Sequence, residues 1–416
     1  MTQRSIEELD HWGDYDRDDP FALFAEVRAA GPVHEVTLAD GHRAYLVVGY
    51  AAAREALNHP DLSKDMHAAL ARDSAVVAEG LPGPDFARHM LSVDPPDHTR
   101  LRGMATKAFT RTRLKALEPR IREITAELLD DLAVQEGPVD LVAGFAGPLP
   151  FAVLGELLGI PRAEQRRLAG WFTTLLAPYA GAEPPAEMVA ASDHVVGFLV
   201  DLVDRRWDAP TDDLVGDLVQ ACREGGLTRP ELLSTLFQLV VAGHDTTTSL
   251  LGNGVAALLT HPEQRDALAA DPGLVPQAVE EFLRWDAPVP HATFRYAARE
   301  VTIAGTVIPA GVQVLVSLAA AGRDPERNPE AETFDIARSA GAHLAFGHGI
   351  HHCLGARLAR LEAEIAFTAL LARHPRLRLA VPPEELHWQH GDGLVLRGLS
   401  RLPVLLSGPG PAENSP

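Results

Sequence analysis

Apolar and polar positions recur with helical spacing over most of the chain. The pattern predicts helices at about 51 to 58, 113 to 134, 149 to 158, 163 to 176, 187 to 206, 211 to 223, 262 to 269, 274 to 285 and 355 to 373. Strand-like alternation is confined to a few places. Residues 33 to 48 alternate about Asp40-Gly41 and predict a β-hairpin, and short strands are expected within 300 to 318 and 393 to 406. No repeat or linker divides the chain, so one domain is expected over 21 to 407, after a polar segment 1 to 20 and before a disordered tail 408 to 416.

One helix differs from the rest. Thr228-Arg229-Pro230-Glu231 is a capping box with proline in the first turn, and the helical pattern then persists until His261-Pro262. Its 32 residues span about 48 Å at the usual rise, enough to cross the molecule. It is nearly apolar all round before position 242, which predicts a central buried helix, and the polar run "AGHDTTT" in mid-span argues against a membrane helix. Glycine and hydroxylated β-branched residues together are poor helix interior, so a kink or bulge is expected over 242 to 248.

Composition narrows the class. With 416 residues, 46% hydrophobic and 23% charged, the chain can bury an extensive core. A formal charge of -20 argues against nucleic acid as a partner. Nevertheless Arg100, Arg102, Lys107, Arg111, Arg113, Lys115, Arg120 and Arg122 face only Glu118 within residues 100 to 122. That helical segment is either a solvated face or a docking surface for an acidic partner. The start of the chain has no leader-like apolar run, and no stretch offers about 18 uncharged apolar residues, so a cytoplasmic protein off the membrane is expected. Two cysteines, Cys222 and Cys353, are expected to stay reduced.

Cys353 lies in "AFGHGIHHCLGARLARLE", residues 345 to 362, just before a helix. Its sulfur should sit by unpaired N–H groups at the positive end of the helix dipole, which favours thiolate. A zinc site with His348, His351 or His352, a nucleophile served by a neighbouring histidine, and a small residue buried in a tight turn all remain open on these residues alone.

The spacing F-x-x-G-x-H-x-C-x-G, carried by Phe346, Gly349, His351, Cys353 and Gly355, resembles the haem-binding loop of the cytochrome P450 family. The resemblance implies that Cys353 is the axial thiolate ligand of haem iron, that Phe346 packs beside it, and that Gly349 and Gly355 allow close approach. It assigns Asp245 and Thr246 to an acid–alcohol pair that manages proton delivery, with Ala242 and Gly243 against the haem. Glu281 and Arg284 match an E-x-x-R pair of structural role. His98, Arg102, Arg295 and His351 match residues that hold the haem propionates. Gly103, Gly322 and Asn328 depart from the family's common residues, at positions that bear on local packing and on part of the partner surface.

The same resemblance implies a mainly α fold with a small β-rich lobe, the P450 triangular prism about a long central helix. Haem b would be the cofactor. The expected activity is insertion of one oxygen atom from O2 into a largely hydrophobic small molecule, by hydroxylation or epoxidation in bacterial specialised metabolism of polyketides, macrolides or terpenoids. Electrons would come from NAD(P)H through a ferredoxin reductase and a ferredoxin that lands on the 100 to 122 segment with Arg357 and Arg360, the chain acting as a monomer. A pocket is expected from Met66, Val77, Leu81, Phe86 and Met90, a 176 to 188 lid, Leu239, Val240 and Gly243, Val289 to Phe294, and Leu394 and Val395. A peroxygenase and a haem sensor are the rival functions, and Asp245-Thr246 speaks for the O2 route.

Overall fold

In the computed structural model, residues 6, 9–65, 86, 88–175, 177, 183–339, 343–388 and 394–406 are described. Strand β2 (Arg43–Val47) reads as a continuous apolar run after its first residue because both of its faces are covered. It pairs antiparallel with β1 (Val33–Thr37) and parallel with β8 (Gln313–Val316). Strands β5 (Arg295–Ala297) and β3 (Leu62–Ser63) complete a sheet of order β1-β2-β8-β5-β3. Ala44, Leu46 and Leu315 on one face pack with Trp12, Leu23, Phe24 and Val27. Tyr45, Val47, Val314 and Val316 on the other pack with Ala52, Ala53, Ala56 and Leu57. Two smaller sheets are a hairpin of β6 (Val301–Ile303) with β7 (Thr306–Ile308), and β4 (Val139–Asp140), β10 (Pro403–Leu405) and β9 (Arg378–Leu379) in the order β4-β10-β9.

The rest is helical: α1 (Phe21–Ala30), α2 (Tyr50–Asn58), α3 (Asp97–Thr106), α4 (Arg111–Ala133), α5 (Pro148–Leu157), α6 (Arg162–Leu175), α7 (Ala186–Asp208), α8 (Leu214–Arg223), α9 (Arg229–Thr260), α10 (Pro262–Ala270), α11 (Val275–Trp285), α12 (Leu318–Gly322) and α13 (Ala356–Arg373). Every helix expected from the pattern is present. Three expectations need correction, the third within the long helix α9. The basic segment is not one helix, because Thr110 is extended and its side chain accepts the Arg113 N–H, capping α4 afresh. Nor do the described residues 9 to 20 of the polar N-terminal segment stand apart: Trp12 is 2% exposed and belongs to the core that covers one face of the large sheet.

The long helix α9 carries the predicted capping box, with Thr228 accepting from Glu231 N and Glu231 accepting from Thr228 N. It runs unbroken through 242–248, without the expected bulge. The hydroxyls there turn back on their own helix: Thr246 donates to the Ala242 carbonyl (2.7 Å), Thr248 to His244 (3.0 Å) and Ser249 to Asp245 (2.8 Å). No helix among the described residues is long and apolar enough to cross a membrane.

Glu231 also ties α9 to α3, since both of its oxygens accept from Arg100 (2.5 and 3.0 Å). The Arg100 hydrogen bonds lower its pKa from 4.5 to about 2, against burial. A lowered carboxyl contributes stability above its unfolded pKa and loses it as pH falls toward the folded one. Glu231→Gln should therefore melt below the wild type at pH 7, and thermal scans should show the difference closing below about pH 4.5 and vanishing near pH 2.

Candidate active site

Residues 346 to 355 form a tight loop that delivers Cys353 to the start of α13. The Cys353 N–H donates to the Phe346 carbonyl (2.8 Å) and the His352 N–H to Gly349 (3.1 Å). Gly349 has φ +73°, and a Cβ there would lie 2.9 Å from the Leu57 carbonyl, so only glycine lets the loop approach α2. Cys353 is exposed to an opening while protein surrounds it. Burial raises its thiol pKa, and the N–H groups of Gly355 and Ala356 with the charges of Arg102 and Arg360 oppose this only in part. The expected helix-terminus donors are thus in place, but they do not outweigh desolvation of the thiolate. Arg360 lies over the Phe346 ring at 4.4 Å and binds Glu280 through Nε (2.5 Å) and Nη2 (2.9 Å). Glu280 also accepts from His343 (3.0 Å). Burial pushes the Glu280 carboxyl up, yet these partners carry it down to about 2.

Beside the loop lies a cluster of cations and imidazoles. The His98 and His351 rings are 4.4 Å apart, and His98 Nδ1, His98 Nε2 and His351 Nε2 are buried with no hydrogen-bond partner. Burial, then the charges of His98, Lys64, Arg295 and Arg102, push His351 down to about 2. Arg295 is 4% exposed and donates to the Thr293 carbonyl (3.1 Å), burial lowering it to about 10. Arg102 donates to the His352 carbonyl (2.6 Å). Lys64, 6% exposed, donates to Thr293 Oγ1 (2.5 Å) and the Phe294 carbonyl (2.8 Å). Asp94 is the carboxylate felt by Lys64, Arg295 and His98, and its oxygens are already held by the Lys64 N–H and the Ser63 hydroxyl.

A second opening occurs in mid-α9. Residues 231–240 and 249–258 are buried, whereas Ala242 is exposed and Val241, Gly243, His244, Asp245 and Thr246 are half-buried. Ala242 and Thr246, four apart, share one helix face. His244 Nδ1 lies 3.0 Å from Asp245 Oδ1, and its Nε2 is 3.1 Å from the Gly147 carbonyl.

A family model described as Cytochrome P450 matches residues 273–395. The chain is 42% identical over 408 residues to the vitamin D(3) 25-hydroxylase of Pseudonocardia autotrophica, covering 98% of each. It is 44% identical over 389 residues to the cytochrome P450 monooxygenase PikC of Streptomyces venezuelae, covering 93% of this chain and 91% of that protein. The chain belongs to the cytochrome P450 family. Its fold matches that of the tirandamycin C-bound P450 monooxygenase TamI with a TM-score of 0.84 at 42% identity, over 93% of this chain and 97% of that one. The chain is a P450 monooxygenase, and membership implies a haem–thiolate cofactor.

The residues of this P450 fit such a group. A porphyrin carries two carboxylates, and the cluster of Lys64, His98, Arg102, Arg295 and His351 offers orphaned donors with one nearby carboxylate already engaged. Cys353 supplies an accessible sulfur beside it. Lys64, Glu280, His343 and His244 were not signalled by the sequence. Only Glu280 left a trace there, as the first of two adjacent acids that helix geometry must send to different partners.

Other expectations shift. Arg360 is half-buried and turned onto Glu280 and Phe346, and Arg113 is paired with Asp217 (2.5 Å) and Asp212 (3.3 Å). Arg100, Arg120 and Arg122 are likewise paired. The Cβ position of Gly243 points at Leu154, 3.0 Å away, so this glycine fits α9 against α5. Val240, 1% exposed, is sealed in the core, and Phe86, Met90 and Leu239 keep 7%, 5% and 7% exposure. Val289, Phe294, Leu394 and Val395 are half-buried. Met66, Val77 and Leu81, with residues 176 and 178 to 182 of the lid, lie outside the described residues, and 186 to 188 of the lid form the first turn of α7.

Glu281 and Arg284 are buried at 2% and 1% exposure and joined by two bonds of 2.6 and 2.7 Å. The departures at 322 and 328 answer one another: a Cβ at Gly322 would lie 2.8 Å from the Arg284 carbonyl, and Asn328 reaches across to bond the Gly322 carbonyl (3.0 Å).

Proposed function

We propose that this P450 inserts one atom of O2 into a largely apolar polyketide, macrolide or terpenoid, by hydroxylation or epoxidation, using haem b ligated through Cys353. The observation that supports this reading best is the accessible Cys353 sulfur flanked by the partnerless buried nitrogens of His98 and His351. Relatives point to the substrate class. They include a mycinamicin IV hydroxylase/epoxidase of Micromonospora griseorubida, 42% identical, and a 6-deoxyerythronolide B hydroxylase of Saccharopolyspora erythraea, 41% identical. The haem supplies oxygen activation, and the protein supplies binding, orientation and protons. Arg102, Arg295, His98, His351 and Lys64 would hold the propionates. The reduced protein should give the carbon monoxide difference band of a thiolate-ligated haem, and macrolide aglycones should shift the haem spin state. A protein that takes up no haem, or macrolides that leave the spectrum unmoved, would overturn the respective half of the reading.

Asp245 and Thr246 manage the protons in this reading. Asp245 is oriented by His244, and the Thr246 hydroxyl sits at the mid-helix opening in contact with the Ala242 carbonyl. Positioned proton transfer contributes about 10²-fold or more. Thr246→Ala should therefore lower the fraction of NAD(P)H that yields product by about tenfold or more, with peroxide released instead. Unchanged coupling in a peroxide assay would remove Thr246 from the relay. The presence of this pair favours the O2 route over a peroxide-driven one.

Electrons arrive from a ferredoxin and its reductase in the cytoplasm. Lys107, Arg111, Lys115 and Arg357 are exposed and carry no ion pair among the described residues, unlike Arg113 and Arg360. They are the cations free to meet an acidic partner. Lys115→Glu with Arg357→Glu should slow ferredoxin association about tenfold at low salt and leave the haem spectrum alone. Stopped-flow reduction that keeps its rate and salt dependence would place the partner elsewhere.

A further inference from the structure

The N-terminal segment that the sequence marks as a polar preface reaches the walls of the proposed substrate pocket. His291 is 0% exposed and packs against the stacked pair Trp12 and Phe24, its ring edge-on to both at 5.8 and 5.9 Å. The Trp12 indole N–H donates to His291 Nε2 (3.3 Å), and His291 Nδ1 donates to the Leu394 carbonyl (3.0 Å). An indole can only donate and a carbonyl can only accept, so one neutral tautomer satisfies both partners. Burial suits that tautomer, lowering the imidazole to about 4.

The bridge joins three stretches far apart in the chain. Leu394 and Phe294 pack against the same cluster as Trp12, Leu23 and Phe24. Farther along, Arg397 donates to the Asp18 carbonyl (3.0 Å) and pairs with Asp286 (2.6 Å), while Asp18 accepts the Trp388 N–H (2.8 Å). The C-terminal segment is thus strapped to residues 12 to 18 on both sides of Leu394, and His291 carries a hydrogen-bonded link from this strap to the 289 to 294 stretch.

We propose that Trp12 and His291 are specificity-determining positioning residues: by pinning the Leu394 carbonyl they fix the wall at 394 and 395 against the wall at 289 to 294, and so set the size and shape of molecule the pocket admits. This rests on the reading of those two stretches as pocket walls. The side chains touch no substrate. They act by holding a backbone carbonyl whose release would let Leu394 and Val395 take other positions. A polar N-terminal segment therefore tunes selectivity from outside the pocket.

Haem-loaded wild type, His291→Leu and Trp12→Phe are titrated with imidazole and with 1-dodecylimidazole, reading the haem absorption shift. Imidazole can ligate iron without reaching the walls, whereas the dodecyl chain must lie along them. The ratio of dodecylimidazole to imidazole affinity should fall tenfold or more in His291→Leu and threefold or more in Trp12→Phe, with imidazole itself within twofold of wild type. Amide exchange over 394 to 399 should accelerate tenfold in both. Trp12→Phe keeps an aromatic ring in the cluster and removes the donor together with part of the indole's volume, so it tests the bridge even if His291→Leu does not fold, with the imidazole titration reporting any general loosening. An unchanged ratio in either variant overturns that residue's assignment, and an equal loss for both azoles overturns the proposal in favour of general loosening. A wild type whose spectrum imidazole does not shift would refute the haem site itself, and this inference with it.

Discussion

Cys353→Ser should abolish monooxygenase turnover and the thiolate-type carbon monoxide band together. Thiolate is a soft, polarizable donor that pushes electron density onto haem iron, and a serine hydroxyl neither ionises near neutral pH nor donates comparably. The fold should not register the change. Cys353 is exposed, and the Gly355 and Ala356 N–H groups that point at its sulfur can be accepted equally by an oxygen. Thermal scans of the haem-free proteins should therefore agree to within about 2 °C, because exchanging sulfur for oxygen removes no packed carbon and leaves both N–H groups an acceptor. Turnover above a hundredth of wild type in the serine variant, or a haem-free melting point many degrees lower, would remove Cys353 from the role of ligand. The two readouts separate loss of chemistry from loss of structure, which activity alone does not.

How much of this was legible in the residues depended on whether the signal was local. Periodicity located the helices because each buries one face of its own sequence, and Thr228 with Glu231 placed the start of α9 to the residue. The Cys353 loop was legible because a tight turn forces its glycines into fixed spacing. Signals that exist only in three dimensions were not. Lys64 reads as an ordinary surface lysine, and what buries it is the approach of Thr293 and Phe294, some 230 residues away in sequence. The ion pairs of Arg113 and Arg360 with Asp217 and Glu280 are equally non-local, so a segment that looks uniformly basic presents only part of its charge outward. The unbroken course of α9 shows a local rule being outvoted. Threonine and serine oxygens do compete for carbonyls there, but they bond the i-4 groups already in the ladder, and packing on both flanks holds the helix together.

Arg284→Leu should be the most damaging substitution for the fold. All five guanidinium N–H groups of Arg284 are used: two on Glu281, and the others on the carbonyls of Gly322 (3.2 Å), Ala331 (2.7 Å) and Thr333 (3.0 Å). Leucine leaves the Glu281 carboxylate buried with only the Asp335 N–H (2.9 Å) and Arg338 (3.3 Å) beside it, and strips the three carbonyls of this donor. Breaking a buried pair in this way costs about 3–5 kcal/mol, a large share of the roughly 5–15 kcal/mol that holds a domain folded. Recovery of haem-loaded protein should collapse accordingly. Arg284→Lys keeps the charge but offers three donors from a single point, so it should fall between wild type and leucine. Denaturant midpoints measured on the holoenzymes give the order directly, and a leucine variant within about 1 kcal/mol of wild type would deny the network its structural weight. Any folded fraction of either variant should turn over substrate at the wild-type rate per haem, because Arg284 meets only protein groups and takes no part in the proposed roles of Cys353, Asp245 and Thr246.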